Sequence, residues 1–514
     1  MWSVVGWILA VLGTIALFGL FLVLFVLLAN DARLKLRRFV RRRLSKEQRR
    51  LVDKFSVRTQ PFKLEKKRTV RERLLADPQL LQDLEAYADR EGEALETVLE
   101  RVVDYADEII PFFNVVSYYR VGYTVAAIAM RAMYRVDVDA EEVARTRAFL
   151  DESDEAGRAV VFVMNHRSNA DFVLVAYVLA RAIALSYAVG EWARVWPLEW
   201  LFKSFGSYFV RRGCRDPAYH LTLRRYLQLI TEEGVTQGIF IEGGLSRDGL
   251  LRPAKNGLLD SLSTLPERDG APKEVWFVPV GINYDRVVED EVLTSKLEEA
   301  GGLGSGWTYY ARAMSRIGRY FFTNIPRYVL RRVRRFGYAA VRIGKPLPMT
   351  ELFDGPIAQL VPMTREERKP SVQLAADRLL NRIAEVVPVT PVGLVAASIL
   401  FFGEDEGEDF HVTETELRAR MQRLTDQLSA LGAPVLGVKR GLDWQQRVGL
   451  TILETRGHLR RAGDVIATRA ATRHLVRYYA NGVRHHLERV EGTTDALALA
   501  DRAERTVELR DLDI

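Results

Sequence analysis

Residues 159–171, read AVVFVM and then NHRSNAD, constrain this chain more than any other stretch. The apolar run 159–164 is short, rich in valine and bounded by polar residues, which suits a strand buried on both faces of a parallel sheet better than a helix. His166 then sits where a strand hands its C-terminal end to a loop, the edge of an open α/β sheet at which ligands bind. Asp171 stands at or just before the first turn of the next helix, expected over 172–181. Its carboxylate, five residues on, can curl back to one imidazole nitrogen and leave the other free as a base. This is a His-Asp pair without a serine, so the proton it removes comes from a substrate. Of the seven histidines, His166 alone follows such a run and has an aspartate at this spacing.

At 514 residues the chain has room for two or three domains. Lys and Arg number 74 against 67 Asp and Glu, a net charge of +7 that favours anionic surfaces or ligands. The single cysteine, Cys214, excludes an internal disulfide framework and reads as a packed residue or as a thiol beside basic neighbours. Residues 4–29 carry no charge and exceed the roughly 20 residues that span a bilayer, so a transmembrane helix is expected there. No basic residue precedes the run and no small-x-small site closes it, which argues against a cleaved signal peptide. A dense Arg/Lys cluster follows from Arg33 to Arg50. It predicts a single-pass protein of the cell membrane, N-terminus outside and the rest cytoplasmic, with the cluster on anionic lipid headgroups. Its place beside an apolar span sets nucleic acid aside as a partner.

Further along, residues 51–150 read as helical. From 159 to 348 strands and helices alternate, with strands expected at 159–164, 182–189, 207–210, 238–241, 275–283 and 339–343. This is the pattern of an α/β domain with a mainly parallel sheet flanked by helices. Arginines interleave with aromatics over 307–336, a composition suited to an anionic membrane surface. Thr390 and Pro391 open an apolar helix as cap and first residue. An acidic linker covers 404–409, and helical periodicity resumes to about 489 with a small strand near Val465 and Ile466. The expected organisation is an anchor at 1–30, a basic and helical region at 31–150, the α/β domain at 151–350, a mainly helical C-terminal domain at 351–490 and a polar tail at 491–514.

Two further segments place glycine and charge at strand ends. GSYFVRR, residues 206–212, delivers Arg211 and Arg212, of which at most one can face the sheet edge. Arginine is suited to gripping a phosphate with two parallel hydrogen bonds. FIEGGLSRD, residues 240–248, offers glycines that let backbone N–H groups approach an anion, with Ser246 and Arg247 as extra donors and Glu242 to orient an arginine or a hydroxyl. It is no nucleophile elbow, because Asp248 stands where glycine is required. There is no Walker lysine motif, no His-Glu-x-x-His and no cysteine pair, so no metal site is expected.

Taken in order, HRSNAD, GSYFVRR, FIEGGLSRDG and VPVGINYDRVVE (residues 278–289, around Pro279) resemble the four blocks of the glycerophospholipid acyltransferases. The wording is similar to the bacterial membrane-bound glycerol-3-phosphate acyltransferases and their dihydroxyacetone-phosphate relatives, and VVPVTPVGLVA and GDVIA extend the likeness towards residue 490. The resemblance implies that His166 deprotonates the 1-hydroxyl of glycerol 3-phosphate while Asp171 orients it. That hydroxyl attacks an acyl thioester, of coenzyme A or of acyl carrier protein, with no further cofactor. Arg212, Ser246 and Arg247 would hold the phosphate, Glu242 with Gly243 would shape the acceptor pocket, and Arg211 and Pro279 would line it. Asn169 and Leu245 depart from the subgroup, which commonly has histidine and arginine there. The other acceptors in view are dihydroxyacetone phosphate and lysophosphatidate, and an inactive membrane-binding scaffold is the reading without catalysis.

Overall fold

Strand β2, Arg158–Met164, is the centre of the molecule, buried from its second residue onward. Its unbroken apolar run follows from its neighbours: it pairs in parallel with β5 (Gln237–Phe240) on one side and with β6 (Glu274–Tyr284) on the other. Outward from β5 lie β3 (Ser186–Gly190) and the edge strand β4 (Tyr208–Val210), both parallel. Beyond β6 lies β7 (Tyr338–Ile343), which runs antiparallel to it and carries β1 (Arg135–Val138) on its far side, while β8 (Leu347–Pro348) pairs with the start of β6. The order is therefore β1-β7-β6-β2-β5-β3-β4. The expected mainly parallel sheet is present, with its strands close to the expected bounds. It begins at Arg135, ahead of residue 151, because β1 completes the edge beside β7.

The computed structural model describes residues 65–114, 122–179, 185–190, 198–211, 213–265, 274–298, 335–353, 357–401 and 411–488, with Phe62, Tyr118 and Ile183. The expected membrane span, the basic cluster after it, nearly all of the Arg/aromatic stretch, the acidic linker and the polar tail lie outside the described residues, as does Arg212. No helix among the described residues is long and apolar enough to cross a membrane.

Helices α1 (Lys67–Leu75), α2 (Pro78–Glu91) and α3 (Leu95–Ile109) form a layer with α8 (Pro217–Glu232), sharing a core that includes Leu84, Val102 and Tyr226. Asp77 caps α2 by accepting from Gln79 and Leu80 N–H groups, with Pro78 at the first helical position. Helices α4 (Tyr123–Met133), α5 (Ala140–Glu155), α6 (Asp171–Leu179) and α7 (Leu198–Ser204) flank the sheet, as do α9 (Gly257–Ser263), α10 (Asp290–Glu298) and α11 (Met349–Leu352). Then come α12 (Arg365–Val386), α13 (Pro391–Leu400), α14 (Glu414–Ala430), α15 (Leu442–Thr455) and α16 (Arg473–Glu488).

The C-terminal helices are no separate body: one apolar core joins Phe162, Val280 and Val341 of the sheet to Val395, Leu424 and Val483. Helix α13 is buried from Pro391 to Ile399, with Thr390 accepting from Gly393 N–H as its cap. A helix apolar all round belongs in a core, and each large side chain buried there contributes roughly 1.5–3 kcal/mol. Residues 465–468 are indeed a strand, and they join 411–413 and 459–462 in a small antiparallel sheet that periodicity did not reveal.

Candidate active site

After Met164 the chain leaves the sheet but stays tied to it. Asn165 copies a strand residue with its side chain, Nδ2 donating to Ile282 O at 2.9 Å and Oδ1 accepting from Ile282 N at 2.8 Å. His166 follows, its N–H held by Glu242 Oε1 at 2.8 Å and its carbonyl by Ser246 N at 3.0 Å. The imidazole lies on the ring of Phe240, centroids 4.2 Å apart, which fixes its plane at the ends of β2 and β5.

Asp171 opens α6 and is fully buried. Its Oδ2 accepts from His166 Nδ1 at 2.9 Å, from Arg167 N at 2.7 Å and from Ser168 N at 2.9 Å. Its Oδ1 accepts from the Tyr284 hydroxyl at 2.7 Å. Such a carboxylate is an acceptor only, so Nδ1 carries the proton and Nε2 presents a lone pair. Burial and Asp171 push the Tyr284 phenol well above its ordinary value, so it stays a donor. Glu289 holds the other half of the turn, accepting from Ser168 Oγ at 2.8 Å and from Asn169 N at 3.2 Å.

His166 faces a cleft of about 910 Å³. Phe172, Tyr187, Val189, Val210, Ile239 and Phe240 give it apolar walls. Arg90, Arg211, Arg215, Arg224, Lys255 and Arg365 line it as cations, against the acids Asp260 and Glu366.

The other expected residues divide. Glu242 is buried with both oxygens used, Oε2 accepting from Arg252 N at 2.8 Å, so it binds the His166 turn to the loop after β5. Burial pushes its carboxyl up to about 6, against the pull of Arg167 and the two N–H groups. Gly243 lines the cleft at φ 62°, a conformation that glycine adopts without strain. A Cβ there would lie 2.9 Å from Lys255 Cγ.

Ser246, expected on the phosphate, is turned inward: its hydroxyl donates to Leu250 O at 2.7 Å and accepts from Gly249 N at 3.0 Å, closing its own turn. Arg247 is exposed and does not line the cleft. Arg211 does line it, yet Glu108 engages its guanidinium through both carboxylate oxygens, and the rings of Tyr105 and Tyr219 lie 5.2 and 5.6 Å away. Pro279 is a sheet residue, not a cleft residue. It faces Val163 in β2, and its missing N–H falls in the gap between the β8 and β7 ladders, where no donor is needed.

Three residues were missed by motif reading. Lys255 lines the cleft beside Gly243, twelve positions downstream, and is held there by its backbone N–H on Ile241 O at 2.8 Å. Tyr284 and Glu289 lie in the fourth block, five and ten residues beyond Pro279. Among the described residues no cluster of His, Cys, Asp and Glu is arranged to hold a metal ion.

Two family profiles match the chain: "Acyltransferase" over residues 135–283 and "Glycerol-3-phosphate acyltransferase C-terminal region" over 327–489. An acyltransferase domain thus runs into a glycerol-3-phosphate acyltransferase C-terminal region. Proteins named glycerol-3-phosphate acyltransferase are similar to it: one from Aeromonas hydrophila is 28% identical over 375 residues, 71% of this chain and 43% of the relative. One from Actinobacillus succinogenes is 24% identical over 430 residues, 81% of this chain and 49% of the relative. The chain spans less than half the length of these relatives.

The boundary between the two regions is not a boundary in the site. Asn481 of α16 donates to Asp248 O at 2.9 Å, and the backbone of Gly249 packs against that of Tyr478. The acyltransferase loop after β5 is thereby clamped by the C-terminal region. Arg167, buried next to the catalytic candidate, reaches Gly249 O through Nη1, and its Nε and Nη2 find no partner among the described residues. On the far side Asp290 binds Arg456 Nη1 at 2.6 Å and the Tyr479 hydroxyl. Burial alone would raise the Asp290 carboxyl, but Arg456 and Tyr479 hold it below its ordinary value.

Proposed function

We propose that the protein transfers a fatty acyl group from a thioester to the sn-1 hydroxyl of glycerol 3-phosphate, giving lysophosphatidate. One observation carries the reading: the His166 ring, with Nδ1 on Asp171, faces a cleft that mixes apolar walls with cations.

In this mechanism Nε2 of His166 takes the proton of the acceptor hydroxyl as its oxygen adds to the thioester carbonyl. The tetrahedral intermediate collapses with cleavage of the C–S bond, and the imidazolium returns the proton to the departing thiolate. No covalent enzyme intermediate is formed. Asp171 keeps the ring in the productive tautomer and offsets the charge of the imidazolium. Lys255, unpaired among the described residues and beside Gly243, takes the acceptor phosphate in place of Ser246 and Arg247. The general base accounts for roughly 100- to 10,000-fold of the rate, and holding both substrates supplies more. The donor is acyl-CoA or acyl carrier protein. Residues 4–29 anchor the protein in the cell membrane, with anionic lipids on the basic cluster and catalysis on the cytoplasmic side.

The test is an acceptor panel. Purified protein receives palmitoyl thioester with glycerol 3-phosphate, dihydroxyacetone phosphate or lysophosphatidate, and acylated product is quantified. Glycerol 3-phosphate is expected to give the highest kcat/KM and His166→Ala to abolish turnover in a folded protein. Preference for another acceptor overturns the substrate, and full activity of His166→Ala overturns the mechanism.

A further inference from the structure

The cleft is larger than a small phosphorylated triol requires, and its cations are not all neutralised. Arg224 is bound to Asp83 at 2.6 Å and Arg211 to Glu108, and Arg365 lies 3.9 Å from Asp260. Arg90, Arg215 and Lys255 line the cleft too, and among the described residues their side chains have no acidic or hydrogen-bonding partner. Lys255 stands at the His166 end. The other two do not: Arg90 ends α2, and Arg215 follows β4, the edge strand of the sheet. Between the end of β2 and the end of β4 lie three strand spacings, roughly 14 Å. The wall along that path is apolar, made by Phe240, Tyr187, Val189 and Val210.

Resting on the acyl-transfer reading above, we propose that this outer limb of the cleft binds the phosphate-bearing nucleotide of a coenzyme A thioester, with Arg90 and Arg215 as its anion anchors. An extended pantetheine arm is comparable in length with the roughly 14 Å between the ends of β2 and β4, so a thioester carbonyl at His166 directs the nucleotide phosphates towards the β4 end of the cleft and its two unpaired guanidiniums. The apolar wall covers the arm between them. Tyr87 and His220, which line the same limb, give the nucleotide base aromatic surface. A recess of this kind suits a nucleotide, whereas a folded acyl carrier protein would meet only its rim. The proposal draws the N-terminal helical layer into the donor site, since Tyr87 and Arg90 both lie on α2.

The experiment titrates the full chain and an Arg90→Ala/Arg215→Ala variant with coenzyme A and with adenosine 3′,5′-bisphosphate by calorimetry. It also measures the KM for palmitoyl-CoA and for glycerol 3-phosphate. Both arginine side chains are exposed, so the variant is expected to unfold at the same temperature as the parent. Coenzyme A binding should weaken at least about tenfold, and adenosine 3′,5′-bisphosphate should compete with coenzyme A in the parent. The KM for palmitoyl-CoA should rise by a similar factor while that for glycerol 3-phosphate moves less than about twofold. Equal coenzyme A affinity in the two proteins overturns the proposal, as does a parent that binds acyl carrier protein but not coenzyme A. Arginine-dependent coenzyme A binding by a parent that fails to acylate glycerol 3-phosphate would keep this site and refute the acceptor assignment alone.

Discussion

The Tyr284 hydroxyl donates to Asp171 Oδ1 at 2.7 Å from the end of β6, while His166 Nδ1 meets the other oxygen of the same carboxylate at 2.9 Å. The phenol has no route to the cleft, since it is buried behind Asp171 against Tyr134, so its part is to position. Tyr284→Phe removes one of four hydrogen bonds to the carboxylate and lets it rotate about its bonds to Arg167 and Ser168. Hydrogen bonds to a charged group contribute about 1.5–3 kcal/mol, so kcat should fall ~10- to 100-fold. KM for both substrates should stay near the parent value. A variant with parental kcat would show that Asp171 needs no support from β6.

Asp171→Asn tests the carboxylate itself. Oδ2 accepts from two backbone N–H groups besides the imidazole, so an amide nitrogen in that position faces donors it cannot satisfy. If the amide oxygen takes that position instead, the imidazole keeps a neutral acceptor but loses the charge that offsets the imidazolium. Activity should fall roughly 1,000-fold, measured as kcat with saturating acceptor and donor. Retention of a tenth of parental activity would mean that tautomer control does not limit turnover.

What could be read from residues alone was the part set by local chemistry. An unbroken apolar run rich in valine specifies a central strand, and a histidine just past its end with an aspartate five positions on specifies a pair at the ligand-binding edge; both are present. The likeness to a known family supplied roles for Ser246, Arg247 and Pro279, and there the structure departs. A serine in a glycine-containing loop has no local signal telling whether its hydroxyl faces a ligand or, as here, Leu250 O and Gly249 N–H. The contacts of Tyr284 and Glu289 with the His166 turn span over a hundred residues, and no periodicity encodes them. The core shared by the sheet and the C-terminal helices was hidden for the same reason: the apolar faces of α13 and α16 read as any amphipathic or buried helix, with nothing to say that the sheet is their partner.

Gly249 lies at φ 85°, and a Cβ built there would come 1.9 Å from Tyr478 O. The neighbour is backbone within α16, so it cannot turn aside. Gly249→Ala should therefore cost far more than conformation alone, either destabilising the fold or lifting the loop of Glu242 and Ser246 off the C-terminal region with loss of activity. Gly432→Ala is the matched control: φ is 71° but no atom lies within 4 Å of the added Cβ. It should cost about 1 kcal/mol and leave turnover intact. Chemical denaturation of both proteins measures the difference, and equal costs would mean that the contact between Gly249 and α16 is not maintained.

His458 is buried with both ring nitrogens lacking a partner among the described residues. Burial, aided by the positive charge of Arg456, depresses it from 6.5 to about 4. Between those values the unfolded chain binds a proton that the folded protein refuses, so this group's stability is full above pH 6.5 and is lost as pH falls towards 4. Glu242 and Asp285 work in the opposite sense. Burial raises both to about 6, so the folded state takes up their protons first and gains stability as pH falls through that value. The net slope of the parent mixes these contributions, and a difference measurement isolates one of them. His458→Phe, which removes the titrating ring and leaves no polar atom unpaired, should unfold less readily than the parent at pH 4.5 relative to pH 7.5. The protection should be on the order of 3 kcal/mol. Urea midpoints at the two pH values decide it, and parallel pH dependence in the two proteins would show that His458 is protonated in the folded state.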